Sequence, residues 1–319
     1  MVAEQQLQAL TDELQAAGAA CLPQARLAAY TTFRLGGRCP LLVDCRSEAH
    51  VLAAVRACAR QGVEFMVIGN GSNLLVADNG IDCVVIRCAD LPVQWQRCAD
   101  GVEVEAGVGF DALAEACAAH GLAGLEKAHG IPGTLGGAVV GNAGAYGWQI
   151  ADELIDVTLA DREGTVHTAT PDELDFSYRH SRLKEDGRVL LRVRLRLRAG
   201  DADALQRERR EILAQRHGKH PDIEQWPCAG SFFRNIEPSS AAARRQAAGY
   251  FLEQAGAGSM RVGGAGVFHR HANMIIKCDD TCRAADVYAL HQQMAAAVKD
   301  RFDLDLVPEV RFVGDFDPT

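Results

Sequence analysis

The stretch from His129 to Gly147, HGIPGTLGGAVVGNAGAYG, holds seven glycines in nineteen residues. Glycine loses the most backbone entropy on folding and adds no side-chain burial, so this density is wasteful in a packed core. Residues 131–150 carry no charge, yet Pro132 and six glycines rule the stretch out as a lipid-exposed helix. Ile131, Val139, Val140 and Tyr146 are embedded in it and argue for packing over simple flexibility. A backbone of this kind suits a place where the chain folds tightly against a flat or anionic ligand.

The rest of the chain supplies the scaffold. Its 319 residues, 48% hydrophobic and 24% charged, suffice for sizeable cores in two or three domains and argue against disorder. The charge balance is 33 − 42 = −9, a poor surface for nucleic acid that still allows a local basic pocket for one diphosphate. Eleven cysteines are scattered from Cys21 to Cys282 with no C-x-x-C pair, so no metal site or thioredoxin-like motif is expected. Cys58, Cys83 and Cys117 sit among apolar neighbours and read as small hydrophobes in a reducing compartment. His217 with His220, and His269 with His271, lack zinc-enzyme spacing and read as ordinary hydrogen-bonding histidines. The N-terminus MVAEQQLQALTDELQ has neither a basic nor an apolar signal region, so a soluble cytoplasmic protein without membrane contact is expected.

Helical and strand-like patterns alternate. Helices are expected over 3–17, from Ser47 to near Gly62, and over 111–120, 201–216, 239–254 and 283–301. Strands are expected at 41–45, 65–68, 83–87, 102–106, 154–159, 165–168, 262–268, 272–277 and 306–313. Thr170-Pro171-Asp172-Glu173 is a capping-box sequence. From Leu191 to Arg198 leucine and valine alternate with Arg192, Arg194, Arg196 and Arg198, which reads as a strand with a solvated outer face. No repeat with a period of 20–50 residues is visible.

Four more stretches carry polar chemistry. Gly69-Asn70-Gly71-Ser72-Asn73 follows a strand directly and can present backbone N–H groups to anionic oxygens, though an ordinary turn reads equally well. Phe176-Ser177-Tyr178-Arg179 lies between two strands. In AGSFFRN (229–235), Ser231 follows a glycine in apolar company, without the surroundings of a hydrolase nucleophile. Glu309 falls in a hydrophobic strand, where a structural salt bridge is the usual reason for a carboxylate.

Taken in order, these motifs resemble one family, the UDP-N-acetylenolpyruvoylglucosamine reductases. The resemblance runs through TTFRLGG (31–37), GNGSNLLV (69–76), GIPGTLGGAVVGNAGAYG (130–147), YRHSRLK (178–184), AGSFFRN (229–235), GYFLEQAG (249–256), RVGGAGVFHRHAN (261–273) and PEVRFVG (308–314). It implies an α+β fold. A two-subdomain FAD-binding region of the vanillyl-alcohol-oxidase (PCMH) type would be followed by a C-terminal α/β substrate-binding domain. An N-terminal helix (1–24) would precede FAD-binding subdomains at 25–90 and 91–200; a substrate-binding domain (201–305) and a final strand (306–319) returning to the active site would follow.

Non-covalent FAD would lie along Gly69, Asn70, Gly71, Ser72, Asn73 and Leu74, and beside Ile131, Pro132, Gly133, Thr134, Gly136, Gly137, Asn142, Gly144, Ala145, Tyr146 and Gly147. The resemblance also implies that NADPH reduces the flavin and that UDP-N-acetylglucosamine enolpyruvate then receives hydride at its vinyl carbon. The product would be UDP-N-acetylmuramate for peptidoglycan synthesis. Arg179 and Glu309 match the residues at the substrate carboxylate, and Ser231 matches the proton donor. Tyr178, Lys219 and Asn235 match substrate-binding positions, and a monomer is implied.

Forty residues separate Arg179 from Lys219, as in the shorter class of the family without a tyrosine-bearing loop. Asn235 is followed by Ile236-Glu237-Pro238 where the family has proline directly. Two other readings stand beside the reductase: a flavoprotein oxidase sharing the FAD-binding fold, and a non-catalytic FAD or UDP-sugar binding protein.

Overall fold

A computed structural model describes residues 4–238 and 245–316. The chain forms two compact units. The first is Met1–Ala25, Cys39–Asn70 and Asp82–Arg216; the second is Arg26–Arg38, Gly71–Ile81 and His217–Thr319. The expected α+β class holds, with helices and sheets in both units.

In the first unit, helix α1 (Glu4–Ala16) buries Leu10 and Leu14. A four-stranded sheet follows in the order Ala20–Pro23, Leu41–Cys45, Val84–Cys88, Phe65–Ile68. Its last three strands run parallel, and every residue of Leu41–Cys45 is buried, as expected of a strand covered on both faces. Helix α2 (Glu48–Gln61) begins where the Ser47 side chain accepts the His50 N–H and ends at Gly62, left-handed at φ 62°.

A second, antiparallel sheet runs Val166–Ala169, Leu154–Ala160, Val189–Leu195, Gly101–Glu105, Trp95–Cys98. Helices α3 (Phe110–Ala119) and α4 (Leu135–Val140) share a core with this sheet through Leu113, Leu135, Val139, Val157 and Val193. Ala160, Val189 and Leu191 join the core of the first sheet beside Val55 and Cys58, which ties the two sheets together. Helix α5 (Ala202–Lys219) closes the unit at Arg216.

The arginine-bearing strand is shorter than expected. It stops at Leu195; Arg196 N–H donates to the Glu153 carbonyl, and Arg198–Ala199 pairs instead with Leu122–Ala123. Its outer face is neutralised rather than merely solvated. Arg192 meets Glu103 at 3.2 Å and Glu48 at 3.0 Å, and Arg194 meets Asp156 at 3.3 Å. Opposite charges on neighbouring strands stabilise a sheet face in this way.

The second unit holds helices α6 (Ala248–Gln254) and α7 (Ala284–Phe302) and a three-stranded meander. The strand expected at 262–268 is two, Arg261–Val262 and Ala265–Val267, split by a turn with Gly263 at φ 50°. The third strand is Ile275–Lys277. Phe232, Phe233, Ile275, Leu290 and Met294 form part of the core. The helix expected over 239–254 is α6 alone from Ala248; residues 239–244 lie outside the described residues. The terminal strand is only Arg311–Val313, pairing parallel to Leu74–Val76, because Pro308 interrupts the chain ahead of it. No helix among the described residues is long and apolar enough to cross a membrane.

Candidate active site

In the first unit Gly69 meets the glycine-rich segment around α4. A Cβ on Gly69 would lie 2.4 Å from Thr134 Oγ1, and Thr134 caps α4 by accepting the Gly137 N–H. Gly136 packs against Ala106, just past the strand Gly101–Glu105, where a Cβ would meet Ala106 Cβ at 3.0 Å, and its N–H donates to the Ala106 carbonyl. These glycines are needed for contacts within the protein. Gly137 and Gly147 are different: a Cβ on Gly137 would meet only Thr134 Oγ1, at 3.4 Å, and one on Gly147 would meet nothing within 4 Å. Asn142, 1% exposed at φ 44°, donates to Gln149 Oε1 and the Ser177 carbonyl and accepts the Ala151 N–H, so its side chain braces the segment from inside.

Behind the segment stands a polar network on α3 and α5. Arg209 donates to Asp111 Oδ1 at 2.7 Å and to His129 Nδ1 at 2.7 Å, and Asp111 also accepts the Gly130 N–H at 2.7 Å. Since a guanidinium only donates, Nδ1 of the buried His129 is the acceptor in this bond. Burial alone would raise the Asp111 pKa, but the hydrogen bonds from Arg209 and Gly130 and the Arg209 charge outweigh it and hold the carboxyl far below its ordinary range.

Arg216, about two turns further along α5, is not singled out by its sequence. Its Nε would lie 2.9 Å from a Cβ on Gly130, and its guanidinium interacts with the Tyr146 hydroxyl. Burial lowers its pKa; Tyr146 and Asp111 oppose that, while the charge of Arg179 adds to it. Two guanidinium groups sharing one partly buried region favour an anion between them. The only sequence signal was the 4-then-3 spacing of Arg209, Leu213 and Arg216 on one helical face.

Tyr178 and Arg179 are the central residues of a tight turn closed by paired Ser177–His180 hydrogen bonds of 3.1 Å. Arg179 sits at φ 57°, a left-handed conformation that a non-glycine residue holds only when its surroundings impose it. Lys184 Nζ donates to its carbonyl at 2.7 Å, and its guanidinium lies 5.6 Å from the Tyr178 ring.

In the second unit Ser231 and Glu309 are brought together through the backbone. Glu309 N–H donates to the Phe232 carbonyl at 2.7 Å, and Phe233 bridges antiparallel to Pro308. Glu309 therefore lies just before the final strand and not inside it, and it is half-buried. Asn73, expected at the cofactor, donates from Nδ2 to the Glu309 carbonyl at 3.0 Å, while its own carbonyl accepts the Arg311 N–H at 3.0 Å. Gly71, at φ 61°, packs against the Tyr30 carbonyl.

Asn235 Oδ1 accepts the Ala248 N–H at 3.2 Å and so caps α6. Lys219 is exposed at the end of α5. The histidines pair differently from their sequence spacing, with His220 and His271 rings 5.7 Å apart. Burial lowers the His271 pKa, and Lys219 lowers it further. No group of three or more metal-binding side chains occurs among the described residues.

The residues of the first unit fit FAD by their own geometry. Asn70 Oδ1 is buried without a hydrogen-bond partner, an acceptor suited to a hydroxyl of a ribose or ribityl chain. The open faces at Gly137 and Gly147 leave room for a flat ring against backbone.

Comparison with known proteins agrees. Residues 40–170 match the FAD binding domain family, and residues 221–313 match the C-terminal domain of UDP-N-acetylenolpyruvoylglucosamine reductase. The reductase of that name from Heliobacterium modesticaldum is 39% identical, over 92% of this chain and 91% of its own length. The one from Trichormus variabilis is 36% identical over 92% and 86%. The crystal structure of the Thermus caldophilus enzyme superimposes with a TM-score of 0.75 at 30% identity, over 93% of this chain and 99% of its own. The chain belongs to the UDP-N-acetylenolpyruvoylglucosamine reductase family, enzymes with an FAD binding domain.

Proposed function

We propose that this protein reduces UDP-N-acetylglucosamine enolpyruvate to UDP-N-acetylmuramate, a step of peptidoglycan precursor synthesis, with NADPH as the source of hydride. Bound FAD, held by the glycine-rich segment of the first unit, would supply the two-electron chemistry between NADPH and the vinyl carbon of the substrate. The work of the chain's own residues is electrostatic and protonic. Hydride addition builds enolate charge on the substrate carboxylate, and Arg179 supplies a fixed cation there. Ser231 gives the proton to the adjacent carbon. Its hydroxyl is a weak acid, so it works through its neighbours or a water relay, while Glu309, at the substrate carboxylate with Arg179, is a protonated donor or orients the groups around it. Lys219 offers a point charge to the diphosphate, and Tyr178 and Asn235 contribute to the substrate site.

Beyond family membership, the observation that carries this reading is the 2.7 Å bond from Glu309 N–H to the Phe232 carbonyl, which places the carboxyl-bearing and hydroxyl-bearing residues on paired segments. The test is anaerobic. Protein reduced with NADPH and freed of nucleotide is mixed with the enolpyruvyl substrate while flavin absorbance is followed. Rapid reoxidation with formation of UDP-N-acetylmuramate is expected. Flavin that stays reduced until oxygen is admitted identifies an oxidase instead. In Ser231→Ala, reduction by NADPH persists and reoxidation by substrate is severely slowed; unchanged turnover removes Ser231 from the mechanism.

A further inference from the structure

Asn273 is 2% exposed, and its carboxamide is committed to a single residue. Oδ1 accepts the Phe233 N–H at 2.9 Å, and Nδ2 donates to the Phe233 carbonyl at 2.8 Å. The Asn273 main-chain carbonyl accepts the Phe232 N–H at 2.8 Å. A side chain that pairs both backbone groups of one residue does the work of a neighbouring strand. On the opposite side, the Phe232 carbonyl accepts the Glu309 N–H, and Arg234 N–H donates to the Val307 carbonyl at 2.9 Å. Residues 231–234 are thus held between Asn273 and the segment carrying Glu309, which Asn73 secures in turn from Nδ2.

Packing alone does not require this arrangement. Phe232 and Phe233 are buried at 0% and 1%, meet edge-on with ring centroids 5.4 Å apart and lie against His291, which holds the segment in the core. Aromatic burial is non-directional and tolerates sliding along the chain axis. Hydrogen bonds to one residue's N–H and carbonyl do not. A slip by one residue turns every side chain to the other face, and Ser231 with it.

We propose that Asn273 is a positioning residue for the substrate half of the reaction, setting the register between the segments that carry Ser231 and Glu309. The inference rests on the reductase reading above. Its test uses flavin-loaded full-length Asn273→Ala and Asn273→Ser and measures the two half-reactions separately. Reduction by NADPH is expected to match the wild type. Reoxidation by UDP-N-acetylglucosamine enolpyruvate is expected to slow by about 10–100-fold, since a misplacement near 1 Å has effects of that order. The loss appears in kcat with KM little changed, and Asn273→Ser, which keeps a polar group near the Phe233 backbone, lies between alanine and wild type.

If Asn273→Ala does not fold, the serine variant carries the comparison. A folded variant with unchanged reoxidation overturns the proposal, as does one in which both half-reactions slow equally, the mark of a purely structural residue. Wild-type protein that the substrate does not reoxidise refutes the reductase reading itself, an outcome distinct from either.

Discussion

Gly69 and Thr134 approach until no side-chain carbon fits between them: a Cβ on Gly69 would lie 2.4 Å from Thr134 Oγ1 and 2.9 Å from its Cγ2. Gly69, just after Phe65–Ile68, therefore docks on the cap of α4 within the first unit. Gly69→Ala must push the loop or the cap aside. We expect a loss of about 1–3 kcal/mol, typical of overpacking, with weaker FAD binding. Thermal unfolding of the apo protein and titration of FAD by fluorescence quenching measure the two effects. A variant binding FAD as tightly as wild type would show that the contact is incidental to the cofactor.

Breaking the Arg209–Asp111 pair leaves a charge beneath the Gly130 corner without its partner. Arg209→Met should lower stability by about 2 kcal/mol, less than a fully buried pair because Asp111 is partly exposed. Chemical denaturation reads this loss directly.

The same carboxyl gives a pH signature. Its pKa is depressed on folding, so its contribution to stability is fully present above the unfolded value of about 3.9 and is lost as pH falls below it. The melting temperature of the wild type should drop more steeply than that of Asp111→Asn on acidification below about pH 4. Parallel curves for the two proteins would remove Asp111 from the acid transition.

Asp78 caps α7 from a distant part of the sequence: its two carboxylate oxygens accept the N–H groups of Ala284 and Ala285, each at 3.0 Å. Asp78→Ala should cost about 1 kcal/mol, the usual worth of an N-cap. Asp78→Asn, which keeps an acceptor, should recover most of it in the same melting experiment.

Burial pushes the thiols of Cys58, Cys88, Cys117 and Cys282 up to about 12 and that of Cys39 to about 11. Thiolates are the reactive form, so these five should resist iodoacetamide in the native protein at neutral pH and react once it is denatured. Peptide mass spectrometry resolves the sites; rapid native labelling of Cys58 or Cys117 would contradict their burial.

Local chemistry made much of the fold legible. Ser47 and Gly62 bound α2, Leu41–Cys45 is the buried strand its composition announces, and Cys58 and Cys117 are fully buried. Cys83 is only half-buried, because it sits just ahead of the strand Val84–Cys88 and not within it. Apolar patterns failed where backbone was captured by a distant partner. The arginine strand ends when Arg196 bonds to Glu153, and the expected terminal strand is mostly replaced by the pairing of Glu309 with Phe232.

Sequence by itself determined the secondary elements, the glycine-dense segment and the ordered motifs that place the chain in its family, because caps, turns and burial periodicity act over a few residues. Only the tertiary structure decided which polar groups serve the protein itself. Asn73 holds Glu309, Asn142 braces its own segment, and Asn273 replaces a strand beside Phe233. It also recruited Arg209 and Arg216 to the glycine-rich corner. Hydrogen bonds such as the one from Asn73 Nδ2 to the Glu309 carbonyl, 236 positions away, follow from how the chain packs, and no local pattern encodes them.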